Sequence, residues 1–122
     1  MISYITLGSD DVQADAVFFD TVLGAMGCKR AMEFGRGIIW GSPAGQLCLG
    51  LISPFNRQPA TAGNGNMVAL NAESREEVDR LWQLALDNGG SDEGAPGERM
   101  PGFYAAYFRS PKGHKMALVK IG

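Results

Sequence analysis

The chain has 122 residues, enough for one domain with its own core or for two small fused halves. Its formal net charge of -2 comes from scattered acidic and basic residues, and no lysine or arginine stripe alternates with aromatic residues, so nucleic acid is not an expected partner. The sequence contains no run of ~20 apolar residues, so it predicts no membrane span. Met1-Ile2-Ser3-Tyr4 lacks the basic segment of a signal peptide, so we expect a cytoplasmic protein.

The first half predicts one strand, one helix and three further strands. The alternating, β-branched-rich run from Ile2 to Leu7 is typical of a strand, and Asp10 with Gln13 indicates a helix N-cap. Apolar residues then recur every three or four positions on one helix face, at Val12, Ala16, Phe19, Leu23 and Met26. Gly27 is expected to end this helix, and strands are expected at 29–34, 37–41 and 46–52.

The second half repeats this order after a connector rich in Pro, Gly, Asn and Thr. Asn66 to Ala72 predicts a strand, and Ser74 with Glu77 forms the capping box of a second helix. The buried face of that helix is expected to carry Val78, Leu81, Trp82 and Ala85, with Gly89-Gly90 at its end. The polar run 91–101 predicts either a short edge strand or a loop, and strands are expected at 103–108 and 114–121.

A Ser-Pro-x-Gly turn precedes the last strand of both halves, at 42–45 and 110–113. Two pairs of matching residues lie 63 positions apart, Tyr4 with Met67 and Gly27 with Gly90. The turn glycines Gly45 and Gly113 lie 68 positions apart. The second half therefore has a longer loop before its last two strands. The sequence therefore predicts an α+β fold of two tandem βαβββ repeats, at about 1–53 and about 66–122, joined by a connector at about 54–65.

We expect the two curled sheets to form one mixed sheet around a cleft, because each helix covers only one face of its sheet. Matching positions should then converge, Tyr4 with Met67 and Leu49 with Ala117. The candidate ligand-binding residues are Tyr4, Trp40, Leu49, Phe55, Met67, Tyr104, Tyr107 and Ala117, each of which could instead fill the core. Only one of Tyr104 and Tyr107 can face the cleft, and Arg36 and Arg99 are candidates for holding an anionic group.

The closing segment Arg109-Ser110-Pro111-Lys112-Gly113-His114-Lys115 resembles the segment before the last strand in the vicinal oxygen chelate superfamily. This superfamily includes glyoxalase I, extradiol dioxygenases, and the bleomycin and fosfomycin resistance proteins. Residues 58–65 and 102–107 resemble a bacterial glyoxalase-like branch, and the resemblance covers nearly the whole chain. It implies two tandem βαβββ units and pairing of two copies into a homodimer.

The resemblance also implies where a metal ion would bind. Metal-dependent members hold a divalent ion with His or Glu on the first and last strands of each repeat, which correspond here to Tyr4, Met67, Ala117 and Leu49. None of these four is a good ligand for such an ion, so we predict no metal site and no cofactor. His114, expected to be an exposed turn residue, and Glu33, expected on an edge strand, are the remaining candidate ligands.

Three functions follow as hypotheses. The first is a metal-free protein that binds a small apolar or aromatic molecule. The second is a metal-dependent glyoxalase-like lyase, isomerase or dioxygenase with displaced ligands, and the third is a scaffold whose cleft is filled by side chains. The two cysteines, Cys28 and Cys48, are expected to be buried, reduced thiols rather than a disulfide.

Overall fold

A computed structural model describes residues 1–122, which form two compact units, Met1–Ala62 and Gly63–Gly122. The first unit contains β1 (Ile5–Gly8), α1 (Val12–Ala25), β2 (Lys29–Phe34), β3 (Gly37–Gly41) and β4 (Leu47–Ile52). The second contains β5 (Val68–Asn71), α2 (Arg75–Asp87), β6 (Ser91–Met100), β7 (Phe103–Arg109) and β8 (Lys115–Ile121). The predicted α+β fold of two tandem βαβββ units is confirmed. Neither helix has the length and the apolar character needed to cross a lipid bilayer.

In the first unit, α1 covers one face of a sheet ordered β1-β4-β3-β2. The ring of Trp40 lies 6.0 Å from that of Phe19, between centroids, and its Nε1 donates a hydrogen bond of 2.9 Å to the Asp20 carboxylate on α1. Arg30 of β2 donates two further hydrogen bonds to Asp20, at 3.0 and 2.6 Å, and so lowers the pKa of that carboxyl. One carboxylate therefore joins the helix to two strands.

In the second unit, α2 covers one face of a sheet ordered β5-β8-β7-β6. Trp82 on α2 donates a hydrogen bond of 3.1 Å to the backbone oxygen of Tyr107, and the Tyr104 hydroxyl donates one to Asp79 on the same helix. We call the sheet face opposite the helix the far face. In this unit the far face contains a buried cluster of Ala105, Ala117 and Val119, against which Phe103 and Tyr107 pack.

The N-cap of α2 is the residue predicted from the sequence, whereas the N-cap of α1 lies one residue later than predicted. Ser74 accepts a hydrogen bond of 3.0 Å from the Glu77 N–H, which confirms the predicted cap. In α1 the cap is Asp11, whose carboxylate accepts from the Ala14 N–H at 3.2 Å. The predicted cap, Asp10, instead accepts a hydrogen bond of 2.8 Å from the Ala60 N–H, because the chain after β4 returns to this site.

Both Ser-Pro-x-Gly turns form the same hydrogen bonds. In the first, the Gly45 N–H donates to the Ser42 oxygen at 2.8 Å, and the Ser42 hydroxyl accepts from the Gln46 N–H at 3.2 Å. In the second, the Gly113 N–H donates to the Ser110 oxygen at 2.9 Å, and the Ser110 hydroxyl accepts from the His114 N–H at 3.1 Å. The turn glycines have φ values of 86° and 94°, the left-handed region that glycine tolerates best.

The sequence predicts that Leu49 and Ala117 occupy matching positions in the two repeats, but the residue that matches Ala117 is Gly50. In β8, Ala117 pairs with Ala69 of β5, whereas the equivalent β1 residue, Thr6, pairs with Gly50. The cause is a register shift in β4, where Trp40 pairs with Leu49 but the next residue, Gly41, pairs with Leu47. This β-bulge adds one residue between the turn and the strand, and it places Leu49 on the α1 side of the sheet with Trp40.

The polar run 91–101, expected to be a short edge strand or a loop, contains a long strand. β6 has ten residues and lies at the edge of its sheet, paired with β7 through three register shifts. Its sequence lacks the alternating apolar pattern of a strand, because most of its side chains are exposed. Pairing with β7, rather than local preference, therefore determines its conformation.

We predict that Gly90→Ala destabilises the protein by about 1–3 kcal/mol, because overpacking against rigid atoms has that cost. A methyl group at this position would lie 2.7 Å from the backbone oxygen of Ala85 and 2.9 Å from that of Arg109. The control is Gly24→Ala in α1, where nothing lies within 4 Å of the new methyl group and helix propensity should add about 0.5–1 kcal/mol. Urea unfolding measures both changes, and equal effects would contradict the packing argument.

We predict that Ser110→Ala lowers the free energy of unfolding by about 1–3 kcal/mol, since it removes the hydroxyl partner of two buried groups. The Ser110 hydroxyl is 2.7 Å from Nδ1 of His114 and accepts from the His114 N–H, and both residues are buried. Ser42→Ala, at the matching half-buried position, should cost less, about 0.5–1 kcal/mol. Thermal and urea unfolding of the two variants compare them, and a larger loss for Ser42→Ala would be the contrary result.

Candidate functional site

The candidate residues of the first unit lie in different environments. Trp40 and Leu49 are each 1% exposed and lie on the α1 side of the sheet, where they form part of the core. Tyr4, just before β1, is 46% exposed, and Phe55, in the connector after β4, is 86% exposed. Of these four, only Tyr4 and Phe55 present a large accessible surface to a ligand.

The candidates of the second unit divide between the two faces of its sheet. Tyr107 pairs with Ala117 on the far face, and Met67, just before β5, is 46% exposed. Tyr104 lies on the α2 side, where its hydrogen bond to Asp79 raises the pKa of the tyrosine hydroxyl. The prediction that Tyr104 and Tyr107 face opposite sides is therefore confirmed. Convergence of residues from the two repeats on one cleft stays a prediction.

Side chains at the positions implied by the superfamily do not fit a divalent metal ion. Tyr4, Met67 and Ala117 provide no imidazole or carboxylate, and Gly50, the true counterpart of Ala117, has no side chain. The structure contains no group of three or more His, Cys, Asp or Glu residues that could hold a metal ion.

The two alternative ligands have other partners. Glu33 forms an ion pair of 2.8 Å with Arg30. His114 is only 3% exposed and its Nδ1 lies 2.7 Å from the Ser110 hydroxyl. The expectation that His114 is an exposed turn residue is therefore wrong, because the turn serine holds both its backbone N–H and its ring inside the second unit.

A pocket of about 420 Å³ lies within the first unit, between the far face of its sheet and the connector. We call it the connector pocket. The strands and the β2–β3 turn contribute Thr6, Gly8, Arg36 and Ile52, and the connector contributes Pro54, Phe55, Asn56 and residues 59–61. Its volume is in the range of small-molecule sites, and its lining combines apolar groups with a few hydroxyl, amide and guanidinium groups.

The connector is held against the first unit by hydrogen bonds at both of its ends, one between backbone groups and two between a side chain and the backbone. The Ser53 N–H donates to the Arg36 oxygen at 2.8 Å, and Nη2 of Arg36 donates back to the Ser53 oxygen at 2.9 Å. On the other side, Ala60 is bound to Asp10, and its Cβ would lie 3.3 Å from a methyl group placed on Gly8. Hydrogen-bonded backbone segments, and not only side chains, therefore form the walls of the pocket.

Arg36 lies beside the exposed ring of Phe55, with its Cζ 5.1 Å from the ring centroid. In the second unit, Arg99 lies 5.3 Å from the Tyr107 ring centroid in a similar way, but Arg99 is part of strand β6 rather than of a loop. Both arginines named from the sequence therefore contact aromatic rings, and Arg36 is the one that lines the connector pocket.

Sequence reasoning named Phe55 and Arg36 but missed the rest of this pocket. Thr6, Ile52 and Ala60 are ordinary strand or connector residues, and no local motif distinguishes them. The available signal was the Pro-rich connector that follows β4, because a loop that returns over a sheet edge commonly forms a binding surface.

The two cysteines are free thiols and are half-buried rather than fully buried. Burial raises the pKa of the Cys28 thiol to about 11, with a smaller contribution from neighbouring Cys48. The Cys48 thiol donates a hydrogen bond of 3.2 Å to the Trp40 oxygen. A thiol with so high a pKa is a poor nucleophile at neutral pH, so Cys28 is not a candidate catalytic residue.

Comparison with known proteins agrees with this architecture. A crystal structure of a glyoxalase/bleomycin resistance protein from Albidiferax ferrireducens T118 is 34% identical, with a TM-score of 0.86 over 98% of this chain and 97% of that one. A glyoxalase/bleomycin resistance protein/dioxygenase family enzyme from Burkholderia phytofirmans PsJN is 17% identical, with a TM-score of 0.80 and 98% of both chains covered. Lactoylglutathione lyase from Agrobacterium tumefaciens is 22% identical, with a TM-score of 0.72 over 98% of this chain and 92% of that one.

The search of curated proteins found no significant match. The structural neighbours below 25% identity are similar in fold alone, whereas the family assignment has its own support in the sequence. A family model described as Glyoxalase/Bleomycin resistance protein/Dioxygenase superfamily matches residues 1–118, nearly the whole chain. The chain therefore belongs to the glyoxalase/bleomycin resistance protein/dioxygenase superfamily.

Proposed function

We propose that this protein binds a small apolar or aromatic molecule and does so without a metal ion. The observation that carries the proposal is the connector pocket, which has the volume of a small-molecule site and a Phe55 ring that is 86% exposed at its edge. An exposed aromatic ring beside a pocket offers a flat apolar surface, and covering it removes that surface from water.

The chemistry of the donor set supports the metal-free part of the proposal. The superfamily's ligand positions carry Tyr4, Met67 and Ala117, and none of these provides the imidazole or carboxylate that would hold a divalent ion. The side chains that line the connector pocket also include no histidine or carboxylate. Binding in this protein is therefore proposed to depend on apolar contact and on hydrogen bonds from hydroxyl, amide and guanidinium groups.

The neighbour from Albidiferax ferrireducens is described as a glyoxalase/bleomycin resistance protein, a name that is compatible with the proposed binding role and with the enzymatic alternative. The predicted homodimer stays a prediction, and light scattering of the purified protein tests it.

The test is a fluorescence titration with a neutral aromatic probe, naphthalene carboxamide, in the presence and absence of EDTA. We expect saturable binding of one probe per chain that EDTA leaves unchanged. Phe55→Ala should weaken binding about 2- to 12-fold, since an aromatic pair contributes about 0.5–1.5 kcal/mol.

The matched control is Phe34→Ala. Phe34 is also exposed, at 43%, but it lies on β2 and does not line the pocket. Equal weakening by the two substitutions would show that Phe55 is not part of the binding site. Elemental analysis of protein purified without chelators completes the test, and a stoichiometric divalent ion whose removal abolishes binding would refute the metal-free proposal.

A further inference from the structure

Arg36 is the only charged residue among those that line the connector pocket. It lies in the turn between β2 and β3, and no carboxylate lies within ion-pair distance of its guanidinium. Three other arginines, in contrast, form ion pairs: Arg30 with Asp20 and Glu33, Arg75 with Glu98, and Arg109 with Glu93. Like Arg57, Arg80 and Arg99, Arg36 forms no ion pair, and it is the one of these four that lines the connector pocket.

The guanidinium of Arg36 is held in place before any ligand arrives. Its Nη2 donates to the Ser53 oxygen at 2.9 Å, and its Cζ lies 5.1 Å from the centroid of the Phe55 ring. A guanidinium has five N–H donors, and one of them makes this hydrogen bond. The others leave the planar fork able to form the paired hydrogen bonds that carboxylate and phosphate oxygens accept.

The connector contains no acidic residue, and the carboxylate that binds it, that of Asp10, is already engaged. Asp10 accepts a hydrogen bond from the Ala60 N–H at 2.8 Å, on the other side of the pocket, and does not line it. The remaining polar groups of the lining are neutral, such as the hydroxyls of Thr6 and Thr61. An anionic group in this pocket would therefore meet a cation and no opposing carboxylate.

We propose that the connector pocket selects aromatic molecules that carry a carboxylate or phosphate group, with Arg36 binding the anion and Phe55 contacting the ring. This inference rests on the proposed function and adds a charge requirement to it. The Arg36 guanidinium lies over the Phe55 ring, which is still 86% exposed, so one ligand can contact both. Arg36 is a binding residue in this proposal, and no chemical step is assigned to it.

The experiment compares three naphthalene compounds of similar size: the neutral carboxamide, the carboxylate and the phosphate ester. We expect the wild-type protein to bind the better of the two anions at least about tenfold more tightly than the carboxamide, because hydrogen bonds between charged groups are the stronger class. The preference between the two anions identifies which acidic group the pocket accepts.

Arg36→Gln should reduce the ratio of anion affinity to carboxamide affinity to about one, because it removes the charge that only the anion uses. Arg36→Lys keeps the charge but not the planar fork, so it should retain part of the preference, and it also serves if Arg36→Gln does not fold. The matched control is Arg57→Gln, which removes a charge from the same connector at a residue outside the pocket lining and should leave the preference in place.

Two outcomes would overturn the inference and leave the proposed function intact. One is equal affinity of the wild-type protein for the carboxamide and both anions. The other is an equal loss of anion preference in Arg36→Gln and Arg57→Gln, which would indicate general electrostatic attraction. Failure of all three compounds to bind would overturn the proposed function and this inference together.

Discussion

In each unit of this protein a single helix packs on a four-stranded sheet. This arrangement determines which side chains are buried and which remain available to bind a ligand. A single helix covers one face, so strand residues alternate between a helix-packed position and a far-face position. In the first unit, Trp40 and Leu49 are packed under α1, whereas Thr6 and Gly50 lie on the far face. The connector then passes over the end of that face, and the pocket forms where the two meet.

The side chains at the expected metal positions have a different chemistry from that of metal ligands. The positions that the resemblance implies for a metal ion carry a phenol, a thioether and a methyl group here. The binding site proposed here relies instead on Arg36, whose guanidinium donates a hydrogen bond to the Ser53 oxygen and lies over the Phe55 ring. Such a pair offers a small molecule an aromatic face and a cationic hydrogen-bond donor without a metal ion.

The sequence predicted features that depend on neighbouring residues and missed those that depend on distant ones. The Ser74 cap and the two Ser-Pro-x-Gly turns each involve residues within a few positions, so their motifs were sufficient. The identity of the residue that matches Ala117 depended on a bulge in β4 that no motif marks. Asp10 resembled a helix cap but bonds to the returning connector, fifty residues away, and the pocket lining has the same non-local origin.

The irregular pairing of β6 has a consequence for how the molecule behaves among its own copies. An edge strand that is flat and regular offers a row of backbone groups to which another chain can add, which leads to aggregation. β6 is interrupted by three register shifts, contains Pro96, and carries mostly exposed polar and charged residues. An irregular edge strand with charged side chains is a poor template for pairing, so a strand from another copy does not readily add to the sheet next to β6.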